Sequence, residues 1–165
     1  MLRVRLKIGD GDDNPVYTDE AYGLVYVSAD NRLGPDVKAF ESTSYPEEEG
    51  EHLLTKTVDA AFDYTVKFYV KAEGSLENAN QKLAAFNAAL FDKDDDGIKT
   101  FKRVWFYNDY KKTLIVGYPY PISEATDFWR DSKGEWHDIV VVEWKIRVTK
   151  PSLCDYNLTS TSDSD

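Results

Sequence analysis

The ten residues FDYTVKFYVK, Phe62 to Lys71, constrain this chain most, because Phe62, Tyr64, Val66, Phe68 and Val70 alternate with Asp63, Thr65, Lys67 and Lys71. A side-chain period of two belongs to a strand with one face buried and one in water. Tyr69 is the one aromatic on the wet row. The pattern recurs near the end of the chain, where Val140, Val142, Trp144, Ile146 and Val148 oppose Glu143, Lys145 and Arg147. It recurs at the start, where Leu2, Val4, Leu6 and Ile8 alternate with Arg3, Arg5 and Lys7. These rows predict a mainly β fold (α+β), an antiparallel β-sandwich or barrel-like sheet pair.

One segment changes period. In GSLENANQKLAAFNAALF, residues Leu76, Ala79, Leu83, Phe86 and Leu90 recur at helical spacing, Ser75 is a good N-cap, and Glu77 favours the helix dipole. A helix over about 75–91 is predicted, long enough to cover the apolar face of a sheet. Beyond it, IKTFKRVWFYND and KKTLIVGYPYPI read as two strands joined by a tight turn at 108–111. Residues 31–51 read as a long exposed loop, marked by Pro35, Pro46 and the run Glu47, Glu48, Glu49. EATDFWRDSKGEWHD reads as a polar loop carrying Trp129 and Trp136. Residues 1–151 are expected to form one domain, and 152–165, ending in LTSTSDSD, a disordered polar tail.

Apolar residues make up 42% of the 165 and aromatic residues 14%, enough for a sizeable aromatic core. Thirty acidic against twenty basic residues give a formal charge of −10, which argues against specific nucleic-acid binding, whose footprint is a basic face. The single Cys154 forms no internal disulfide and cannot build a cysteine-rich zinc site. No apolar h-region or membrane-length apolar run is present, so synthesis and folding in the cytoplasm are expected, with no membrane partner.

The run FDKDDDG places Asp92, Asp94, Asp96 and Gly97 in the first half of an EF-hand pattern. The second half is missing: the twelfth position falls on Arg103, where a bidentate carboxylate is needed, and the eighth on Lys99. The leading reading is a solvated acidic turn between helix and strand, with Gly97 at positive φ. A calcium site at Asp92, Asp94 and Asp96 is carried beside it, and no other cofactor is expected. His52 and His137 fit no metal-ligand spacing, and there is no P-loop, nucleophile elbow or dinucleotide fingerprint. No enzyme is predicted. Tyr118, Tyr120, Trp129 and Trp136, with Tyr45 in the long loop, are candidates for an interface or for stacking on sugar rings.

From residue 51 onward the order of elements resembles the N-terminal domain of phage distal tail proteins and, more loosely, the related tail-tube fold. The resemblance rests on DYTVKFYVKA, on the helix end Phe86, Asn87 and Leu90, on the step Val116, Gly117 and Tyr118, and on the closing proline, Pro151, over roughly residues 51–156. The first fifty residues align only as a strand pair and a loop, and the sequence carries no counterpart of the large C-terminal domain of many distal tail proteins. The resemblance implies a structural subunit of a phage or prophage tail, present in the bacterial cytoplasm during assembly and then in the virion tail. It implies a homo-oligomer, six copies in a ring around the DNA channel, contacting other tail proteins. Residues 31–51 and 125–136 are the expected interface loops, and the acidic excess is expected to line the lumen. The alternative from another class is a monomeric glycan- or surface-binding β-sandwich module.

Overall fold

A computed structural model of the chain describes residues 3–37, 42–43, 52–53, 59–73, 75–125, 127–130 and 136–158. The first strands are β1 (Val4–Ile8), β2 (Val16–Tyr17), β3 (Leu24–Ala29), β4 (Asp36–Val37), β5 (Ser42–Thr43), β6 (His52–Leu53), β7 (Asp59–Ala60) and β8 (Phe62–Lys71). A four-residue helix α1 (Thr18–Ala21) interrupts them, and helix α2 (Leu76–Ala89) follows. Then come β9 (Phe91–Lys93), β10 (Lys99–Phe101), β11 (Val104–Asn108), β12 (Thr113–Pro119), β13 (Asp127–Arg130) and β14 (Trp136–Val148).

The main sheet runs in the order β2-β1-β11-β12-β14-β8-β3, with β13 also paired to β14. Every pairing in it is antiparallel. The sheet stays open between β2 and β3, so it is not a closed barrel. Its two halves face each other. Phe106 of β11 lies 6.3 Å from Tyr64 and 6.5 Å from Phe68 of β8, and 6.4 Å from Trp144 of β14, centroid to centroid. Asn108 of β11 donates to the Tyr26 hydroxyl of β3 at 3.1 Å. The predicted inward rows of β8 and β14 are buried throughout the side chains described, and the aromatic contacts, edge-on for Phe106 with Phe68 and Trp144 and tilted with Tyr64, add about 0.5–1.5 kcal/mol each beyond area burial.

Strand β12 joins the halves. Its first five residues pair with β11, and its last two, Tyr118 and Pro119, pair with Arg147 and Ile146 of β14. Gly117 sits at the change of partner, where a Cβ would lie 2.4 Å from the Arg147 carbonyl oxygen and 2.8 Å from Ile146 Cγ2. Only a residue without a side chain lets the two backbones approach this closely.

Helix α2 starts where Ser75 accepts from the Asn78 N–H at 3.4 Å. Phe86 packs 5.3 Å from Trp144 and 5.1 Å from Tyr22, while Leu76, expected on the apolar face, is left exposed. Asn87 forms both hydrogen bonds of a strand-like pair with the Ile122 backbone, donating to its carbonyl at 2.7 Å and accepting from its N–H at 2.8 Å. The helix end is thereby tied to the chain leaving β12.

Several expectations are corrected. The acidic run does not join helix to strand: the helix ends at Ala89, and FDKDDDG is one limb and the turn of a separate β9–β10 hairpin. IKTFKRVWFYND divides between β10 and β11. Within residues 31–51, expected as loop, β4 pairs with β7 and β5 with β6, both antiparallel, so the described part of the stretch includes two short strands. The loop at 125–136 contains β13. Residues 152–158, expected as tail, are pinned to β12: Leu114 and Asp155 exchange backbone hydrogen bonds at 2.7 and 2.9 Å, and the Leu158 N–H donates to Lys112 at 2.8 Å. Residues 159–165 lie outside the described residues.

Candidate interaction surfaces

The alternation that buries Val4 and Leu6 turns Arg3, Arg5 and Lys7 to the opposite face of β1. In β11 the same rule buries Val104 and Phe106 and turns Trp105 and Tyr107 outward. Antiparallel register then sets Arg5 opposite both Tyr107 and Tyr17, and Lys7 opposite Trp105. Cations and rings meet as a result. The Arg3 guanidinium lies 3.8 Å from the Tyr17 ring centroid and that of Arg5 5.2 Å from Tyr107; the Lys7 ammonium is 4.7 Å from Trp105. Arg103 continues the row, 5.6 Å from the Tyr118 ring, with a 3.4 Å hydrogen bond to the Tyr118 hydroxyl. Each such pair contributes about 0.5–1 kcal/mol at an exposed site.

Part of this charge is compensated locally. Arg3 holds the Asp19 carboxylate through two 3.0 Å hydrogen bonds and reaches Glu20 at 2.6 Å, and Arg5 pairs with Asp109 at 3.0 Å. Lys7 and Arg103 have no carboxylate partner among the described residues. The rings carry cations over them, so the face presents guanidinium and ammonium N–H groups rather than bare aromatic planes.

Beside Arg103 and Tyr118 lies a groove of about 540 Å³, also bordered by Asp10, Asp92 and Lys102. Asp92 is ion-paired to Lys102 at 3.4 Å. In the hairpin turn, Asp94 Oδ1 accepts from the N–H groups of Asp96 at 2.9 Å and Ile98 at 2.8 Å. Gly97 adopts φ +81°, and its N–H donates to the Asp94 carbonyl at 3.0 Å. Asp94 is thus engaged in shaping the turn, while Asp95 and Asp96 stand exposed. Among the described residues no group of three or more His, Cys, Asp or Glu is disposed to hold a metal ion.

The other candidates are dispersed. Tyr120 is exposed on the far side of the β12 crossover, where its hydroxyl donates to Asp63 at 3.3 Å and its carbonyl accepts from the Trp144 indole N–H at 2.9 Å. Trp129 lies in β13 where the pairing register with β14 shifts, and Trp136 begins β14 opposite Arg130; their side chains, and the whole of Tyr45, lie outside the described residues. Cys154 is half-buried, its sulfur accepting from the Val116 N–H at 3.3 Å, and burial pushes its thiol pKa up, away from the reactive thiolate. The cation–aromatic face was not anticipated, although the Arg-Val-Arg-Leu-Lys alternation of β1 was its visible half.

The sequence matches no protein-family model and no curated protein. Among solved structures, the fold is similar to that of the Dit (gp 19.1) protein of phage SPP1, described as a paradigm of the hub adsorption apparatus in phages infecting Gram-positive bacteria; the TM-score is 0.54 at 13% identity. The similarity covers 90% of this chain, which spans about half the length of that protein. The chain therefore has a fold of the phage-tail hub type.

Proposed function

We propose that this protein is a structural, non-catalytic subunit of a phage or prophage tail, of the distal-tail or tail-tube kind, that assembles into a hexameric ring around the DNA channel and contacts other tail proteins. The observation that carries this reading is the fold similarity to SPP1 Dit over nine-tenths of the chain. The residues that suggested a distal tail protein are consistent with it: Phe86, Leu90, Val116 and Pro151 are buried, Asn87 ties the helix end to Ile122, Gly117 admits the β12 crossover, and Tyr118 is exposed. Such a subunit belongs in the virion tail after assembly in the bacterial cytoplasm, and none of the described helices is long and apolar enough to cross a membrane. Closed rings need two different surfaces on each subunit that meet head to tail, and the cation–aromatic face is a suitable half of such a contact.

The deciding measurement is the mass of the purified protein by light scattering, followed by negative-stain microscopy. The expected result is a ring of about six times the 18.9 kDa chain mass. A strict monomer whose tryptophan fluorescence is quenched by added glycans would replace the tail reading with the glycan-binding one.

A further inference from the structure

We infer that the outer face of β1, β2, β11 and β12 docks the acidic β9–β10 hairpin of a second copy of this chain, head to tail. This contact deepens the ring reading above and rests on it. Charge complementarity is the first argument. In a chain of net charge −10, Arg3, Arg5, Lys7 and Arg103 are gathered on one sheet face, and Lys7 and Arg103 have no carboxylate partner among the described residues. The hairpin turn carries Asp94, Asp95 and Asp96 in succession, all exposed, and none of the three is ion-paired to its own chain among the described residues. Uncompensated charge of opposite sign thus stands on two neighbouring surfaces of one subunit, the sheet face and the hairpin, which border the same groove between Arg103 and Asp92.

The second argument concerns what the face can recognise. A platform for sugar rings or nucleotide bases needs open aromatic planes for stacking. Here Tyr17, Tyr107, Trp105 and Tyr118 each have a cation over or beside the ring. What remains on offer is N–H groups at the spacing of adjacent strands, which suits carboxylates. The third argument is preorganisation: the two hydrogen bonds to Asp94 Oδ1 and the positive φ of Gly97 hold the turn in shape, so docking orders little new backbone. Ile98, 62% exposed beside the turn, and Tyr17, exposed on β2 opposite Arg5, add apolar surface to the two partners. Because hairpin and face are different surfaces, each copy that docks leaves one of each free, and the series ends only by closing on itself.

The test uses the full chain, with light scattering and sedimentation at about 25 and about 500 mM salt, since a contact between exposed charges is screened as the Debye length shrinks. Wild type is expected to assemble at low salt and dissociate at high salt. Lys7→Glu with Arg103→Glu, and separately Asp95→Lys with Asp96→Lys, should each weaken assembly by about tenfold or more. Combining all four substitutions in one chain should restore it, a rescue that misfolding cannot mimic. Rings indifferent to both reversals would overturn the docking while leaving the ring reading standing, and a chain that never assembles would overturn both. Binding of a labelled single-stranded oligonucleotide that is lost on reversing the face, with assembly unchanged, would assign the face to nucleic acid and overturn the docking.

Discussion

At the residue scale, the fold depends on a few positions whose chemistry nothing else can supply. Gly117 is the clearest, since its missing side chain is the gap through which β12 passes from one half of the sheet to the other. A methyl group there meets backbone, which cannot swing aside as a flexible side chain would. Gly117→Ala should destabilise the protein by roughly 1–3 kcal/mol through overpacking, read as a lower urea midpoint with an unchanged slope. A melting curve indistinguishable from wild type would show that the crossover has slack which the packing around Gly117 does not suggest. The sequence marked this glycine by its place in a VGY step, yet the reason for it is Arg147, a residue on a strand that local pattern cannot connect to it.

At the element scale, the β9–β10 hairpin shows how short pieces escape a periodicity argument. Three residues in each limb, Phe91–Lys93 and Lys99–Phe101, are too few to establish a period of two. Pairing holds them: Phe91 and Phe101 lie opposite each other with ring centroids 5.7 Å apart, and the Lys102 N–H donates to Leu90 at 2.8 Å. The acidic turn follows from this geometry, because Asp94 supplies acceptors to two backbone N–H groups that would otherwise face only water. Asp94→Ala should loosen the hairpin by about 1 kcal/mol, while Asp94→Asn, which keeps the accepting oxygen, should cost much less. Melting in millimolar calcium and in chelator should coincide for wild type. A calcium-dependent rise in melting temperature that Asp94→Asn abolishes would instead make the run a cation site.

At the scale of the whole molecule, the core is aromatic and contains phenols held away from water. Burial raises the phenol pKa of Tyr26, Tyr64 and Tyr156 above the ordinary value. In the unfolded chain these tyrosines lose their protons near pH 10, whereas in the folded protein they keep them to higher pH. Stability on this account is level below about pH 10 and falls as pH rises beyond it, because only the unfolded state gains by releasing protons there. Urea midpoints between about pH 8 and 11 should trace that limb. Tyr64→Phe should flatten it and, since the Tyr64 hydroxyl is buried without a partner in hydrogen-bond geometry, should leave neutral-pH stability equal or slightly raised. A midpoint equally steep in the variant would place the alkaline limb elsewhere.

What the sequence determined by itself is which side of each long element faces inward. The rows of β1, β8 and β14 and the Phe86 face of α2 were legible because side-chain alternation and helical spacing are local properties, read from neighbours along the chain. Tertiary structure alone decided the partners. Register between β1 and β11 brings Arg5 to Tyr107 and Lys7 to Trp105 from distant parts of the chain, and no local period encodes that pairing. Asn87 was visible only as a letter in a helix end until Ile122 arrived beside it. The inward pattern comes from each segment separately leaving water. The outward surface, on which assembly is proposed to act, comes from the order in which those segments are stacked.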